Sequence, residues 1–283
     1  MTRPPRPGID GSTLIFATPG KPVAQIRLPQ VMDAVFAALG INAVWLPMEV
    51  EREGLATVLE GLRTIHNFRG ITVAIPYKPV IPALLDRVSR AAEAAGAVNL
   101  VRREADGALL GDMVDGAGFV RGLARQGLSV RGAAAWLVGA GGGGSAIAAA
   151  LAEAGLGKLY LTELDAARAN AVLERLARFF PRLETALVAA PPEPVGLAIN
   201  ATPLGLAPGD RLPFDPARLA VETVVCDIVM KPRETALLRA AQKRGLRVQH
   251  GHHMLDAQIP MYLGFFGLAS PDEDRVIAIA SRA

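Results

Sequence analysis

The sequence predicts a two-domain α/β protein with mainly parallel strands and helices on both faces of the sheet. Segments typical of strands and helices alternate along almost the whole chain, which is the pattern of βαβ folds. The 283 residues are 51% hydrophobic and 20% charged, enough apolar material for a large buried core. The alternation is interrupted near residues 112–118, DMVDGAG, and a second series starts at about residue 133. This interruption indicates the boundary between the two domains.

The first series combines strands, helices and a hairpin. Apolar residues at helical spacing predict an amphipathic helix over residues 51–66. Two apolar runs, 97–104 and 108–114, flank Asp106-Gly107 and predict an antiparallel hairpin. The remaining predicted elements are strands at 13–18, 43–50 and 71–75 and helices at 29–39 and about 81–95.

The second series has the more regular alternation of strands and helices. Its predicted strands are separated by helical stretches and lie at 133–138, 158–163, 196–202, 223–229 and 246–251. Two further helices, at about 253–266 and 271–282, complete the chain. Neither helix shows by its pattern alone which domain it joins.

Composition disfavours several classes of protein. The net charge is only +3 and there is no long basic run, so nucleic acid is not an expected partner. No charge-free stretch of 18 apolar residues predicts a membrane span, and the proline-rich start MTRPPRPGIDGS lacks an apolar signal core. Cys226 is the only cysteine, which excludes an internal disulfide and suits the cytoplasm. We expect its thiol to be buried.

A glycine-rich loop is the clearest local signal. In WLVGAGGGGSAIAAALAEAG, Gly139, Gly141 and Gly144 fill G-x-G-x-x-G between a predicted strand and an alanine-rich helix. Glycine there permits a tight turn and lets backbone N–H groups approach a pyrophosphate. Glu163 follows at the end of the next strand, near the spacing expected of a ribose-binding carboxylate. The pattern favours a dinucleotide; a methyltransferase or an empty Rossmann fold is the alternative.

The residues after the second strand of this series indicate which dinucleotide binds. A 2′-phosphate needs a cation there, whereas this chain has Glu163, uncharged Leu164 and Asp165, with Arg168 a turn later. Carboxylates repel a phosphate and accept hydrogen bonds from a ribose diol. NAD is therefore favoured over NADP. Alternatively, Asp165 simply caps the following helix.

The stretch ITVAIPYK, residues 71–78, carries the candidate for proton transfer. Pro76 ends ladder pairing, so the next side chains project from the strand end, where α/β sheets place their ligands. A dehydrogenase must remove a hydroxyl proton, and Lys78 is suited to that role. Alternatively, Lys78 is a solvated turn residue.

Seven motifs taken together resemble the shikimate dehydrogenase family in order and approximate spacing. They cover nearly the whole chain after the first twenty residues: GITVAIPYK, AGAVN, GDMVDG, VGAGGGG, INATPLG, CDIVMKPRETALL and GHHMLDAQ. The resemblance implies an enzyme that interconverts a ring hydroxyl of shikimate or quinate and the ketone. It also implies a substrate domain over residues 1–115, completed by 251–283, and a Rossmann nucleotide domain over 116–250.

The resemblance assigns roles to particular residues. Lys78 and Asp115 match the family's catalytic pair, and Asn99 and Gln258 match substrate-binding residues. The implied cofactor-binding residues are the glycine loop, the acidic segment after the second strand and the residues near the nicotinamide: Gly139, Ala140, Gly141, Gly142, Gly143, Gly144, Glu163, Asp165, Arg168, Asn200, Ala201, Thr202, Pro203, Ile228, Gly251 and Met254.

The chain departs from the family where the substrate is held. Gln25, Ile26 and Arg27 stand where typical members have Ser-x-Ser, and Thr72 replaces a usual Asn. Gln25, Arg27 and Thr72 are therefore predicted substrate-binding residues. Arg27 either grips a carboxylate or is a surface arginine at the start of a helix. The predicted substrate is shikimate, quinate or a related cyclic hydroxy acid, with a bulkier or less polar alcohol as an alternative.

Two further expectations concern what the chain binds. Adjacent His252 and His253 point to different sides of a helix, and only Asp256 follows at helical spacing, so no metal site is predicted. An NAD-binding sensor without turnover is the alternative function, and the sequence is compatible with a homodimer.

Overall fold

The computed structural model describes residues 8–24, 26–191, 193–268 and 272–283. They form two six-stranded sheets with accompanying helices. Two compact units divide the chain. Unit 1 draws its described residues from Met1–Glu93, Ala97–Val114 and Gln258–Ala283, and unit 2 consists of Ala94–Gly96 and Asp115–Ala257. The predicted α/β class is confirmed. The sequence placed the return to the first domain at residue 251, whereas the last segment of unit 1 begins at Gln258.

Up to residue 112, the described residues form six strands and three α-helices. In chain order these are β1 (Leu14–Gly20), α1 (Leu28–Leu39), β2 (Ala43–Glu49), α2 (Leu55–Arg63), β3 (Phe68–Thr72), β4 (Arg87–Val88), α3 (Arg90–Ala95), β5 (Leu100–Arg103) and β6 (Leu109–Asp112). The sheet order is β2-β1-β3-β5-β6-β4.

This sheet is mixed, with parallel pairs and the antiparallel hairpin that the sequence predicted. β1 pairs in parallel with β2 and β3, while β5 pairs antiparallel with both β3 and β6. β5 and β6 are joined by the predicted hairpin at Asp106-Gly107, and strands joined by a tight turn must run antiparallel. Gly107 takes the positive φ of +88° that this turn requires.

Two predicted elements of unit 1 were wrong in their limits. The strand predicted at 71–75 is β3, which ends at Thr72. Beyond it, the Val73 amide donates to Asn99 O at 2.8 Å and the Ala74 amide donates to Pro19 O of β1 at 3.2 Å. The helix predicted at 81–95 is divided into a short 3-10 helix, β4 and α3. It is interrupted because the Asp86 and Ser89 amides bond to carbonyls of Leu109 and Gly111 and recruit this segment to the sheet.

An aromatic cluster forms part of the core of unit 1. Phe16 stacks on Trp45 with ring centroids 5.0 Å apart, and Phe266 meets Phe16 edge-on at the same separation. Gly70 of β3 makes room for this cluster, since a Cβ there would lie 2.5 Å from the Phe266 ring. These contacts hold β1, β2 and β3 together, and β3 ends at the candidate substrate residue Thr72.

The rest of the chain supplies the second sheet and the remaining helices. These are α4 (Asp115–Arg125), β7 (Ala134–Val138), α5 (Gly142–Glu153), β8 (Lys158–Thr162), α6 (Ala166–Phe179), β9 (Glu184–Leu187), β10 (Leu197–Asn200), β11 (Val224–Asp227), α7 (Ala236–Lys243), β12 (Val248–Gln249), α8 (Gly251–Phe265) and α9 (Glu273–Arg282). All pairs in the sheet β12-β11-β10-β7-β8-β9 are parallel. The strand order reverses between β7 and β10, and α/β sheets bind ligands at the carboxyl ends of such a pair.

Both faces of the second sheet are covered, as predicted. Ala135 and Leu137 of β7 belong to a core that also contains residues of α4, α5 and α6, while Trp136 and Val138 face a second core with residues of α7. Cys226 is fully buried, as predicted, and burial raises the pKa of its thiol. Among the described residues, none of the helices is long and apolar enough to cross a membrane. Location in the cytoplasm stays a prediction.

Candidate cofactor and substrate sites

The glycine loop joins β7 to α5 in unit 2. Gly139 has a φ of +100°, and a Cβ there would lie 2.9 Å from the Ala201 carbonyl. A Cβ on Gly144 would lie 2.1 Å from Gly139 O, so both positions exclude a side chain. Gly141, at the start of α5, has open space where a Cβ would stand, and Gly142 and Gly143 continue into the first turn. This opening at a helix N-terminus fits a pyrophosphate, which the backbone N–H groups and helix dipole attract.

The acidic segment after β8 lies against this loop. Glu163 Oε2 accepts a hydrogen bond from the Ala140 amide at 2.8 Å, and Oε1 accepts one from the Asp165 amide at 3.0 Å. Burial opposes ionisation of Glu163, but the hydrogen bonds from Asp165 and Ala140 and the charge of Arg168 outweigh it and lower its pKa. Glu163 is therefore a carboxylate near neutral pH. Leu164 between the acids is 91% exposed.

Asp165 is the N-cap of α6, so the capping alternative for this residue is confirmed. Its Oδ1 accepts from the Arg168 amide at 3.1 Å. The Arg168 guanidinium contacts both acids, with Nη1 3.4 Å from Glu163 Oε1 and Nη2 3.3 Å from Asp165 Oδ2. A ribose contact by Asp165 stays a prediction.

A buried polar network holds the loops after β10 and β11 together. Asn200 Nδ2 donates to Asp227 Oδ1 and to Leu204 O, each at 3.0 Å, and its Oδ1 accepts from the Thr202 amide and hydroxyl. Thr235 donates to Asp227 Oδ2 at 2.6 Å. Burial raises the pKa of Asp227, although hydrogen bonds from Thr235, Val229 and Asn200 counter it.

These hydrogen bonds hold the predicted cofactor-binding loop, which consists of Asn200, Ala201, Thr202 and Pro203, in one conformation. The sequence did not single out Asp227 or Thr235 as parts of the site. Only the motif CDIVMKPRETALL contained both, without any signal that their side chains meet.

The start of α8 packs directly on the loop after β11. A Cβ on Gly251 would lie 2.5 Å from Val229 O and 2.7 Å from Ile228 O, so glycine permits this approach. Met254, one turn later, is 4% exposed and belongs to the core against which Ile228 and Ala201 pack. The structure thus gathers the predicted nicotinamide-side residues of unit 2 into one region.

Asp115 is the first residue of α4, also in unit 2. It is 3% exposed. A Cβ on the adjacent Gly116 would lie 2.0 Å from Ala146 O of α5, so α4 and α5 touch through their backbones. This close approach fixes Asp115 relative to the helix that begins at the glycine loop.

Lys78 and Asn99 are neighbours in unit 1. The carbonyl of Lys78 accepts from the Val98 amide at 2.9 Å, and the carbonyl of Asn99 accepts from the Val73 amide at 2.8 Å. Asn99 is 2% exposed, and its Oδ1 accepts from the Val114 amide at 2.9 Å. Lys78 is only half-buried. The turn that presents it is anchored by the adjacent Tyr77, a buried side chain whose hydroxyl donates to Val50 O.

Two further groups of buried polar side chains lie in unit 1. Thr72 and Thr18 place their hydroxyl oxygens 2.7 Å apart, and Trp45 Nε1 donates to Thr18 Oγ1 at 2.8 Å. Gln258 is 1% exposed, its Oε1 accepts from the Tyr262 hydroxyl, and its buried Nε2 has no hydrogen-bond partner among the described residues. A buried amide without a partner indicates a place for a ligand oxygen. Sequence reasoning missed Thr18, Trp45 and Tyr262.

Of the predicted carboxylate-binding segment, residues 25–27, the structure describes only the last two residues. Gln25 lies outside the described residues. Arg27 is the N-cap of α1, half-buried, and its Nη2 is 3.5 Å from Ala280 O of α9. This is the helix-start position that the sequence left open as the alternative, and the carboxylate grip stays a prediction.

The adjacent histidines lie in the first turn of α8. His252 Nε2 is 3.3 Å from Arg233 Nη2, and His253 Nδ1 is 3.2 Å from Gln126 Nε2. The described residues contain no group of three or more His, Cys, Asp or Glu side chains that could hold a metal ion.

Comparisons with known proteins agree with this arrangement. A profile of the shikimate dehydrogenase substrate binding domain matches residues 19–101. The shikimate dehydrogenase (NADP(+)) of Rubrobacter xylanophilus is 41% identical over 253 residues, 88% of this chain and 89% of that protein. The structure of shikimate 5-dehydrogenase from Listeria monocytogenes in complex with shikimate and NAD is 29% identical, covers 96% and 97% of the two chains and has a TM-score of 0.83.

Quinate dehydrogenase from Corynebacterium glutamicum in complex with NAD is equally similar, at 29% identity, 96% and 99% coverage and a TM-score of 0.82. The relationship to the Rubrobacter protein extends over most of both chains, and the structural likeness extends over both units. By these similarities, this chain belongs to the shikimate dehydrogenase family.

Proposed function

We propose that this protein is an NAD(P)-dependent oxidoreductase acting on a ring hydroxyl of shikimate, quinate or a related cyclic hydroxy acid. The observation that carries the proposal is the position of Lys78 beside the segment of Asn99: the Lys78 carbonyl accepts from the Val98 amide, and the Asn99 carbonyl accepts from the Val73 amide just after β3, all within the segment that matches the substrate-binding profile. Relatives named for shikimate and quinate support the substrate class. The glycine loop of unit 2 supports the cofactor class.

The chain's own residues supply binding and proton transfer. When bound, NAD(P) supplies the hydride acceptor. Lys78 Nζ accepts the hydroxyl proton while the carbinol carbon loses its hydride and becomes a ketone. Asp115 takes part in handling the same proton, as its match to the family's catalytic pair implies. Asn99, Gln258 and Thr72 bind the ring oxygens.

The test of this proposal is turnover and its dependence on Lys78. Purified protein is expected to reduce NAD or NADP with shikimate or quinate, followed as nicotinamide absorbance. Lys78→Ala should lower kcat by about 10²-fold or more, the usual worth of a positioned acid–base group, with little change in NAD affinity. The matched control is Lys243→Ala, which removes an exposed lysine at the end of α7. Retention of most of kcat in Lys78→Ala would remove the lysine from the mechanism.

A family member that binds NAD without turnover is the second candidate function. The replacement of Ser-x-Ser by Gln25, Ile26 and Arg27 favours it, because hydroxyls that could hold a substrate are absent there. NAD binding by titration, together with no turnover across a panel of cyclic hydroxy acids, would establish this alternative.

NAD is the preferred cofactor in this proposal. The acidic residues Glu163 and Asp165 after β8, where a 2′-phosphate is expected, support this preference, and exposed Leu164 between them offers no cation. Like charges a few ångströms apart at an effective dielectric of about 20 repel by a few kcal/mol, before screening by salt and by Arg168. Two observations favour NADP instead. Relatives are named for NADP(+), and Arg168 pairs with both acids.

The preference is measured as a ratio of initial rates. We expect kcat/KM with NAD to exceed that with NADP by at least about tenfold, which corresponds to 1.4 kcal/mol. Leu164→Arg should narrow the ratio by supplying a phosphate partner, while Leu164→Met, a neutral control of similar size, should leave it unchanged. A wild-type preference for NADP would show that Glu163 does not face the ribose.

A further inference from the structure

The carboxylate of Glu163 is more deeply engaged with the protein than a ribose-binding group needs to be. Its side chain is 7% exposed. One oxygen is bonded to the Ala140 amide of the glycine loop, and the other is bonded to the Asp165 amide and lies 3.4 Å from Arg168 Nη1. A side chain that served only the ribose would leave its oxygens open to the ligand.

The bond to Ala140 links two different connections of unit 2. Ala140 lies between Gly139, with its φ of +100°, and Gly141, where α5 starts. The Gly139 amide donates to Thr162 O at 2.8 Å, and the next amide, Ala140, donates to Glu163 Oε2 at the same distance. Two consecutive amides of the loop are therefore tied to two consecutive residues at the end of β8.

We propose that Glu163 is a positioning residue that holds the glycine loop in its pyrophosphate-binding conformation, in addition to any contact with the ribose. This rests on the proposed dinucleotide site. Glycines lose more conformational freedom than other residues when they are ordered, so a loop of this composition needs external bonds to stay in one conformation. Hydrogen bonds to a carboxylate are among the stronger ones available.

The conservative substitution Glu163→Gln would break this arrangement without changing the size of the side chain. An amide has one acceptor oxygen, so its NH₂ group would face either the Ala140 amide or the Asp165 amide, donor against donor. In the first orientation the loop loses one of its two ties to β8; in the second the Ala140 amide keeps only a neutral amide oxygen, which is a weaker acceptor than a carboxylate. The tie between Ala140 and residue 163 is therefore lost or weakened in either case. The matched control is Glu174→Gln, which removes an exposed carboxylate on α6.

The experiment compares NAD with an NAD analogue that lacks both hydroxyls of the adenosine ribose. Dissociation constants are measured by titration for the wild type, Glu163→Gln and Glu174→Gln. We expect Glu163→Gln to raise the dissociation constants of both ligands by about tenfold or more, and Glu174→Gln to bind both ligands as the wild type does. If only NAD is weakened and the analogue is bound as by the wild type, Glu163 acts on the ribose alone and the proposal is wrong.

A second measurement needs no cofactor and therefore separates this proposal from the proposed function. Amide hydrogen exchange at Ala140 in the ligand-free protein should be faster in Glu163→Gln than in the wild type or Glu174→Gln. If the wild type binds no dinucleotide, the proposed function fails, and the exchange at Ala140 still decides the role of Glu163. Exchange equal to that of the wild type would overturn the positioning role.

Discussion

Thr18 and Thr72 bring two hydroxyl groups together in the interior of unit 1. Thr18 Oγ1 already accepts from Trp45 Nε1, and the two hydroxyl oxygens are 2.7 Å apart. Of the two hydroxyl hydrogens, one lies between the oxygens, and the described residues offer no acceptor for the other. The pair can therefore donate one hydrogen bond to a ligand oxygen.

Removal of the Thr72 hydroxyl should therefore weaken substrate binding. Thr72→Val, which keeps the shape, is expected to raise KM for shikimate or quinate about tenfold or more, within the usual cost of leaving a buried polar group unpaired. Thr72→Ser retains the hydroxyl and should stay within a few-fold of the wild type. Initial rates at saturating NAD measure both. Equal KM values for Thr72→Val and the wild type would assign the pair to structure alone.

Local sequence signals predicted some of these residues, and tertiary contacts supplied the others. The glycine loop directly follows β7, and Lys78 lies in the turn after β3, so the strand pattern was enough to propose them. Asp227 meets Asn200, and Thr72 meets Thr18, only through side-chain hydrogen bonds between residues distant in the sequence. Such pairs leave no periodicity in the sequence, and a single chain cannot reveal them.

At the scale of elements, the glycine loop gives the sharpest distinction between packing and ligand binding. Gly144 is enclosed, since a Cβ would lie 2.1 Å from Gly139 O, whereas the space beside Gly141 is open. The φ of Gly141 is −68°, which any L-residue adopts. The two glycines should therefore respond differently to the same substitution.

Gly144→Ala should lower Tm and abolish NAD binding together, because the loop must shift to admit the methyl group. Gly141→Ala should leave Tm within about 2 °C of the wild type, a shift that for this size corresponds to under about 1 kcal/mol. It should still raise the Kd for NAD by about tenfold or more, because the methyl group fills the space expected for the pyrophosphate. Thermal unfolding and NAD titration check both. Wild-type affinity in Gly141→Ala would show that the pyrophosphate lies elsewhere.

The elements that the sequence predicted best are those with long, buried apolar runs. β7, β8, β10 and β11 were located within a few residues. β9 was missed because its residues are largely exposed at the sheet edge and show no apolar alternation. The two-residue strand β4 was mistaken for helix, since its pairing with β6 comes from backbone bonds that sequence periodicity does not record.

At the scale of the whole molecule, each unit has its own core and its own tryptophan. The chain contains two tryptophans. Trp45 lies in the aromatic cluster of unit 1, and Trp136 packs against Phe214 in unit 2, each at most 7% exposed. Buried tryptophans change fluorescence when they are exposed, so single-tryptophan variants report the unfolding of each unit separately.

NAD should stabilise the two units unequally. In Trp45→Phe, where Trp136 reports, NAD at about 100 times its Kd should raise the free energy of unfolding of unit 2 by about 2.7 kcal/mol, because the ligand binds only the folded state. In Trp136→Phe, where Trp45 reports on unit 1, the same NAD concentration should produce a smaller shift. Urea titrations with and without NAD give both values, with denaturation of each variant by heat as a check that its fold is retained. Equal shifts in the free energy of unfolding at both tryptophans would show that the two units unfold in one cooperative transition. Small single domains unfold in this way, whereas larger proteins with several domains often do not.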